Sequence, residues 1–149
     1  MELQLADMLD KADRLLFIGV GNVLKSDDGV GVIISRQILE TIHIRALTVE
    51  VSVENYIGKI NSMDPGTIVI LDCMELGSSP GTYRLVSLND VEDITFNTHN
   101  ISLCRLGDFF QYPTYVLGIQ PRTTEFGDEL SPRVLKTANL IIKQINQKK

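Results

Sequence analysis

Apolar and polar positions follow two different periods along this chain, and the switches between them predict its elements. Residues 2–12 place Leu3, Leu5, Met8 and Leu9 on one side of a short amphipathic helix. Residues 15–20 are an almost unbroken apolar run, the pattern of a strand buried on both faces. A turn over 21–28 follows, and residues 29–42 read as a helix through Val32, Ile33, Ile38 and Leu39. Residues 47–53 alternate at period two and are β-branched, which predicts a strand. A short helix over 55–63 is stopped by Asp64-Pro65-Gly66.

Residues 67–71 predict another buried strand, with Asp72 at its C-terminal end. Ser78-Ser79-Pro80-Gly81 is a turn, 82–88 an edge strand, and Asn89-Asp90 the cap of a single helical turn. A helix over 101–110, a strand over 115–119 and a polar loop over 120–130 come next. Ser131-Pro132 then starts the last helix, with a hydroxyl to cap it and proline at the first helical position. Val134, Leu135, Ala138, Ile141, Ile142 and Ile145 trace one face of it. Strands alternating with helices predict an α/β fold, a twisted and mostly parallel sheet sandwiched between helices. No linker or repeat interrupts the pattern, so one domain is expected over residues 1–149.

Composition narrows the function. The chain is 44% hydrophobic and 22% charged, which excludes a disordered or low-complexity polymer. At 149 residues it can bury a sizeable core without disulfides. Its 14 Lys+Arg against 19 Asp+Glu leave a net charge of −5, which argues against nucleic acid or an anionic membrane as partner. Cys73 and Cys104 are too few for a disulfide framework and read as buried and reduced. The acidic start lacks the basic and apolar regions of a signal peptide, and no apolar run approaches the ~18–20 residues of a membrane span. A soluble, cytoplasmic protein is expected.

In an open α/β sheet, sites gather where strands end and helices begin. Three features fall there: Asp27-Asp28 after the first buried strand, Asp72 after the second, and His99 in Asn97-Thr98-His99-Asn100. Each has a plainer explanation. One aspartate of the pair can cap the helix that follows, Asp72 can be a turn residue, and His99 can be a satisfied loop histidine. Yet a carboxylate directly after an apolar strand is costly to place without a partner. Two carboxylates and an imidazole make a ligand set for a borderline divalent metal such as nickel or zinc, or an acid–base site. His43 reads as a solvated helix end. Gly19-Val20-Gly21 suggests a dinucleotide loop, but Leu24 stands where its third glycine belongs, and the two aspartates would repel a pyrophosphate. A Cys104–His99 nucleophile pair is weakened by a spacing that points the two side chains apart on a helix.

The run Gly19-Val20-Gly21-Asn22-Val23-Leu24-Lys25-Ser26-Asp27-Asp28-Gly29-Val30-Gly31 resembles the signature of the nickel–iron hydrogenase maturation endopeptidases. The resemblance continues at Ile70-Leu71-Asp72, Ser79-Pro80-Gly81-Thr82, Thr98-His99-Asn100-Ile101-Ser102-Leu103 and Gly118-Ile119-Gln120-Pro121. These blocks run in family order over nearly the whole chain. The last two most resemble the branch that serves formate-hydrogenlyase hydrogenases. The chain departs from many members at Ser52-Val53-Glu54-Asn55, where a Gly-Gly or Gly-Thr turn is usual. It also has Cys73 where a small residue is usual, read here as a packing substitution.

The resemblance implies an α/β/α fold of the phosphorylase/hydrolase-like kind. It implies a hydrolase that removes a C-terminal extension from the large-subunit precursor of a nickel–iron hydrogenase after nickel insertion. Asp28, Asp72 and His99 occupy the positions of the family's metal-contacting residues and are the expected catalytic and metal-binding set. The nickel is expected to come with the substrate, and other divalent metals can substitute adventitiously. Asn22 is expected to orient a carbonyl or position the loop, and Asp27 to cap the helix or support Asp28. His99 must be neutral to act as a ligand, so activity is expected to fall at acid pH. A checkpoint or chaperone that binds nickel-loaded precursor without cutting it would use the same residues.

Overall fold

Residues 15–20 and 68–71 carry almost nothing but apolar groups, and they lie side by side at the centre of the sheet. The computed structural model describes residues 2–94 and 107–148. Six strands make one sheet in the order β1-β5-β6-β4-β2-β3. They are β1 (Glu2–Leu3), β2 (Leu15–Val20), β3 (Ile44–Glu50), β4 (Thr67–Cys73), β5 (Tyr83–Ser87) and β6 (Thr114–Ile119). The β2–β3, β2–β4 and β4–β6 pairs are parallel, while β5 runs antiparallel to both β6 and β1.

Helices cover both faces, so alternate residues of each central strand feed different cores. On one face Phe17, Val69, Leu71 and Leu117 meet α1 (Leu5–Lys11), α2 (Val30–Arg36) and α4 (Pro132–Asn146). On the other, Leu16, Ile18, Ile70 and Val116 meet α3 (Ile57–Ser62) and the single-turn segments that carry Val53, Leu88 and Val91. The expected α/β/α layering is therefore present, with a mostly parallel sheet.

Glycine lets α2 sit directly on the strand ends. A Cβ on Gly31 would stand 2.0 Å from the Leu71 carbonyl oxygen and 2.7 Å from that of Val20. The first turn of α2 is thereby pressed against the ends of β2 and β4. Across the same end of the sheet, Asp27 ties the preceding loop to α4. It is fully buried. Its Oδ1 accepts the Ser131 N–H (2.7 Å), and its Oδ2 accepts the Ser131 hydroxyl (2.6 Å) and the N–H groups of Arg122 (2.9 Å) and Thr123 (3.1 Å).

The structure departs from the periodicity where tertiary partners intervene. α2 stops at Arg36 instead of running to residue 42. Asn146 Oδ1 accepts the Leu39 N–H (2.9 Å) and its Nδ2 donates to the Gln37 carbonyl (3.0 Å), which takes the groups another turn would pair. His43 consequently lies in the turn into β3 beside Asp13, not at a helix end. β3 spans Ile44–Glu50 and not 47–53, because Glu50 turns to φ 56° and gives its carbonyl to the Gly21 N–H. Helix α1 begins only at Leu5, since Glu2 and Leu3 pair with β5, and β5 is thus not the sheet edge. Ser131 precedes Pro132 as expected, but its hydroxyl donates to Asp27 and does not cap α4. Leu135 is exposed and lies off the buried face of α4. Most of the helix predicted over 101–110 lies outside the described residues, and Gly107–Phe109 forms a 3-10 turn.

Two stability outcomes follow from these contacts. Gly31→Ala must push α2 off the Leu71 carbonyl and is expected to cost about 2 kcal/mol in urea unfolding. Asp27→Asn replaces an acceptor oxygen by an amine facing buried donors and is also expected to cost about 2 kcal/mol. An unchanged urea midpoint in either variant would contradict the corresponding contact.

Candidate functional site

The parallel order β4-β2-β3 creates a crevice. After β2 the chain passes through α2 to β3 on one side, whereas after β4 it leaves for β5 on the opposite side of the sheet. The connections from β2 and β4 therefore part at their shared C-terminal end, the place where open α/β sheets hold their ligands. Asp28 stands in the single 3-10 turn Ser26–Gly29 after β2, and Asp72 in the last turn of pleat of β4.

Asp72 has the sidedness of Ile68 and Ile70, pairs in register with Gly118, and is only 1% exposed. Among the described residues its Oδ2 is the buried side-chain oxygen with no hydrogen-bond partner. Burial first, and then the charge of Asp28, hold its carboxyl protonated well above the usual carboxylate range, while the Cys73 N–H acts weakly the other way. A buried carboxyl with an orphan oxygen beside a second carboxylate can hold and release a proton, or gain a cation in exchange for one. The Cys73 thiol is also pushed far up, by burial and then by Asp72, Asp28, Asp27 and Glu75. A thiol so buried and so surrounded by acid stays neutral, as a packing residue would.

Asp28 is half-buried, and its Oδ2 accepts the Asn22 N–H (2.9 Å). Asn22 Oδ1 accepts the Leu24 N–H (2.9 Å), so the Asn22 side chain shapes the loop. Asp27 points away from the crevice to its donors on the 122–131 loop. The adjacent aspartates thus divide their work: Asp28 shares the crevice with Asp72, and Asp27 anchors the scaffold. The glycine loop forms no phosphate cradle. A Cβ on Gly21 (φ 138°) would stand 2.0 Å from the Asp28 carbonyl oxygen. The N–H groups of Gly21, Asn22, Leu24, Lys25, Ser26, Asp27 and Asp28 all have acceptors within the protein. Glycine here serves close packing.

Gln120, directly after β6, has a structural role that its motif does not reveal. It is 4% exposed. Its Oε1 accepts the Leu76 N–H (2.6 Å), and its Nε2 donates to Glu75 Oε1 (2.8 Å) and the Pro121 carbonyl (3.1 Å). It therefore fixes the loop that leaves β4 just beyond Asp72. A polar amide directly after the buried run Val116–Ile119 was the available signal. His99 and Cys104 lie outside the described residues. Among the described residues no group of three His, Cys, Asp or Glu converges as a metal site, so the crevice contributes the carboxylate pair Asp28 and Asp72. No helix among them is long and apolar enough to cross a membrane.

Comparison with known proteins places the chain and its fold. A protein of Methanocaldococcus jannaschii, itself provisionally named a hydrogenase maturation protease, is 26% identical over 166 aligned residues that cover 100% of this chain and 98% of its own. The hydrogenase 3 maturation protease of Escherichia coli K12 is 27% identical over 113 residues, 72% of each chain. The crystal structure of the nickel–iron hydrogenase maturation protease HycI from Thermococcus kodakarensis shares the fold with a TM-score of 0.75, at 21% identity, over 95% of this chain and 97% of its own. The family model HycI, hydrogenase maturation protease, matches residues 51–148, a span that includes Asp72, His99 and Gln120. With more than half of its length matched by that model, the chain belongs to the hydrogenase maturation protease family.

Proposed function

We propose that this protein is an endopeptidase that removes the C-terminal extension of a nickel-loaded hydrogenase large-subunit precursor, and that it recognises the precursor by its nickel. The observation that carries the reading is the unpartnered, buried Oδ2 of Asp72 beside Asp28, at the crevice where the sheet connections part. Family membership supports the reaction class. The nickel arrives with the substrate, and Asp28, Asp72 and His99 supply ligands to it. Binding then depends on the metal being in place.

An arriving dication reverses the electrostatics of the crevice. Two carboxylates that repel one another as anions both gain from a cation between them, and Asp72 releases its proton as it binds. The nickel can polarise the scissile carbonyl, and Asp28 or Asp72 can take the proton of the attacking water. Asn22 keeps Asp28 in place through its N–H, and Gln120 holds the β4 exit loop. The chemistry belongs in a cytoplasmic setting where the precursor is assembled. Nucleic acid and membrane are not partners in this reading.

Intact mass of the precursor, incubated with the protein with and without nickel loaded, tests the reading. Loss of one C-terminal peptide from nickel-loaded precursor alone is expected. Asp72→Asn, Asp28→Ala and His99→Ala should each slow that loss by about 100-fold or more. Binding with no change of mass would replace the endopeptidase by a checkpoint. Cleavage that ignores nickel would remove the recognition role.

The proton on Asp72 gives a second, folding-based check. Its carboxyl titrates near 3.8 when unfolded and well above that when folded. Between those two values the native state keeps a proton that the unfolded state has lost, so this group's stabilisation is full below the lower value and fades as pH rises through the upper one. Asp72→Asn removes the slope. Its urea midpoint is expected to gain steadily on the parent as pH rises from about 4 toward neutral. A difference that stays constant with pH would mean that Asp72 is already ionised in the native state.

A further inference from the structure

The rim that carries Asp28 and Asp72 has a second feature, unused by the reaction above. Ser79 and Pro80, from the turn before β5, face Arg122, Ser131, Pro132 and Arg133 across a cleft of about 420 Å3. Two contacts set its shape. Thr137 Oγ1 donates to the Gly81 carbonyl (2.7 Å), and a Cβ on Gly81 would stand 2.8 Å from the Arg133 carbonyl oxygen. On the opposite wall, Asp27 holds the N–H groups of Arg122 and Ser131 on one carboxylate. Backbone packing thus fixes the points from which both arginines enter the cleft.

Both arginines are exposed. Among the described residues neither guanidinium has an ion-pair or hydrogen-bond partner, whereas Arg14 is paired with Asp64 and Arg36 with Glu50. The charge of Asp27 lies beneath the backbone, taken up by its donors from Arg122, Thr123 and Ser131. In a chain of net charge −5, two guanidiniums that line one cleft without a direct partner offer a local site for an anion, although Glu125, Asp128 and Glu129 follow on the same loop. The planar fork of arginine suits a carboxylate, which accepts two parallel N–H groups. The cleft lies at the same end of the sheet as the crevice, since Arg122 follows β6 and Ser79-Pro80 follow β4, the parallel neighbour that carries Asp72. A peptide engaged at Asp28 and Asp72 is held at that same end.

We propose that this cleft binds a carboxylate of the peptide that the protein removes, through Arg122 and Arg133. The group is either the α-carboxylate at the end of the extension or an acidic side chain within it. The proposal rests on the endopeptidase reading for the identity of the peptide. It makes the two arginines specificity residues that hold the departing segment while the scissile bond lies at the crevice.

The test uses the full-length protein, the nickel-loaded precursor and synthetic peptides of its C-terminal extension. The peptides are made as the free acid, as the C-terminal amide, and with acidic side chains replaced by amides. Arg122→Ala/Arg133→Ala is expected to raise KM for precursor about tenfold with kcat little changed, and to weaken free-acid peptide about tenfold. Lys143→Ala, further along α4, removes the same charge as one of these and serves as control. The peptide form that loses affinity for the parent protein identifies the source of the carboxylate. Equal binding of all peptide forms, or equal KM in the double variant with its urea midpoint unchanged, overturns the proposal and leaves the endopeptidase reading standing. Equal competition by inorganic phosphate, with indifference to the peptide carboxylates, also overturns it in favour of a free-anion site. If no precursor is cut, the endopeptidase reading fails by itself. Carboxylate-selective peptide binding that the double variant loses would still uphold the cleft, and its absence would still reject it.

Discussion

A fully buried carboxylate with no cationic partner among the described residues holds the functional end of this protein together. Asp27 receives backbone N–H groups from Arg122, Thr123 and Ser131 together with the Ser131 hydroxyl. Burying such a charge is unfavourable unless nearly every lone pair finds a donor, and here the donors come from a loop that has no strand or helix of its own. The exchange is mutual. The carboxylate stays solvated by protein, and the 122–131 loop acquires a defined path across the end of the sheet. The backbone of Arg122 is held directly by that group, and Asp28 follows it in the chain.

The second constraint is steric. Gly21 and Gly31 permit backbone-to-backbone approaches that any side chain would block, and they bring the start of α2 onto the ends of β2 and β4. The gain from this closeness is an electrostatic conflict, since Asp28 and Asp72 then face the same crevice. A protein interior normally relieves such a conflict with a lysine or arginine. Here the Asp72 carboxyl, pushed well above the usual carboxylate range by burial and then by Asp28, eases it by favouring its neutral form.

Much of this was legible in the sequence. The central strands announced themselves as unbroken apolar runs, and β4 delivered Asp72 to the predicted strand end. Ser131-Pro132 correctly marked the start of α4. The errors share one cause. The length of α2, the placing of β3 and the use of the Ser131 hydroxyl were all decided by partners distant in the chain: Asn146, Gly21 and Asp27. Local periodicity carries no information about those. The site was half legible for the same reason. Two adjacent aspartates after a strand suggested that one was free for chemistry, and the resemblance singled out Asp28, but only the fold shows that Asp27 is spent on Arg122, Thr123 and Ser131. For Gln120 the only signal was a polar amide after a buried run; its partners, Leu76 and Glu75, lie in a loop with no pattern to read.

The bond between Asp27 and Ser131 joins residues 104 positions apart. Contacts of that span form late, because the intervening chain must first be brought together. During synthesis the β2–α2 unit leaves the ribosome long before its anchor on α4 exists. The nascent chain therefore carries Asp27 and Asp28 on a loop without this tie until Ser131 emerges. A loop tied in this order stays open throughout translation and closes only once the start of the last helix has emerged.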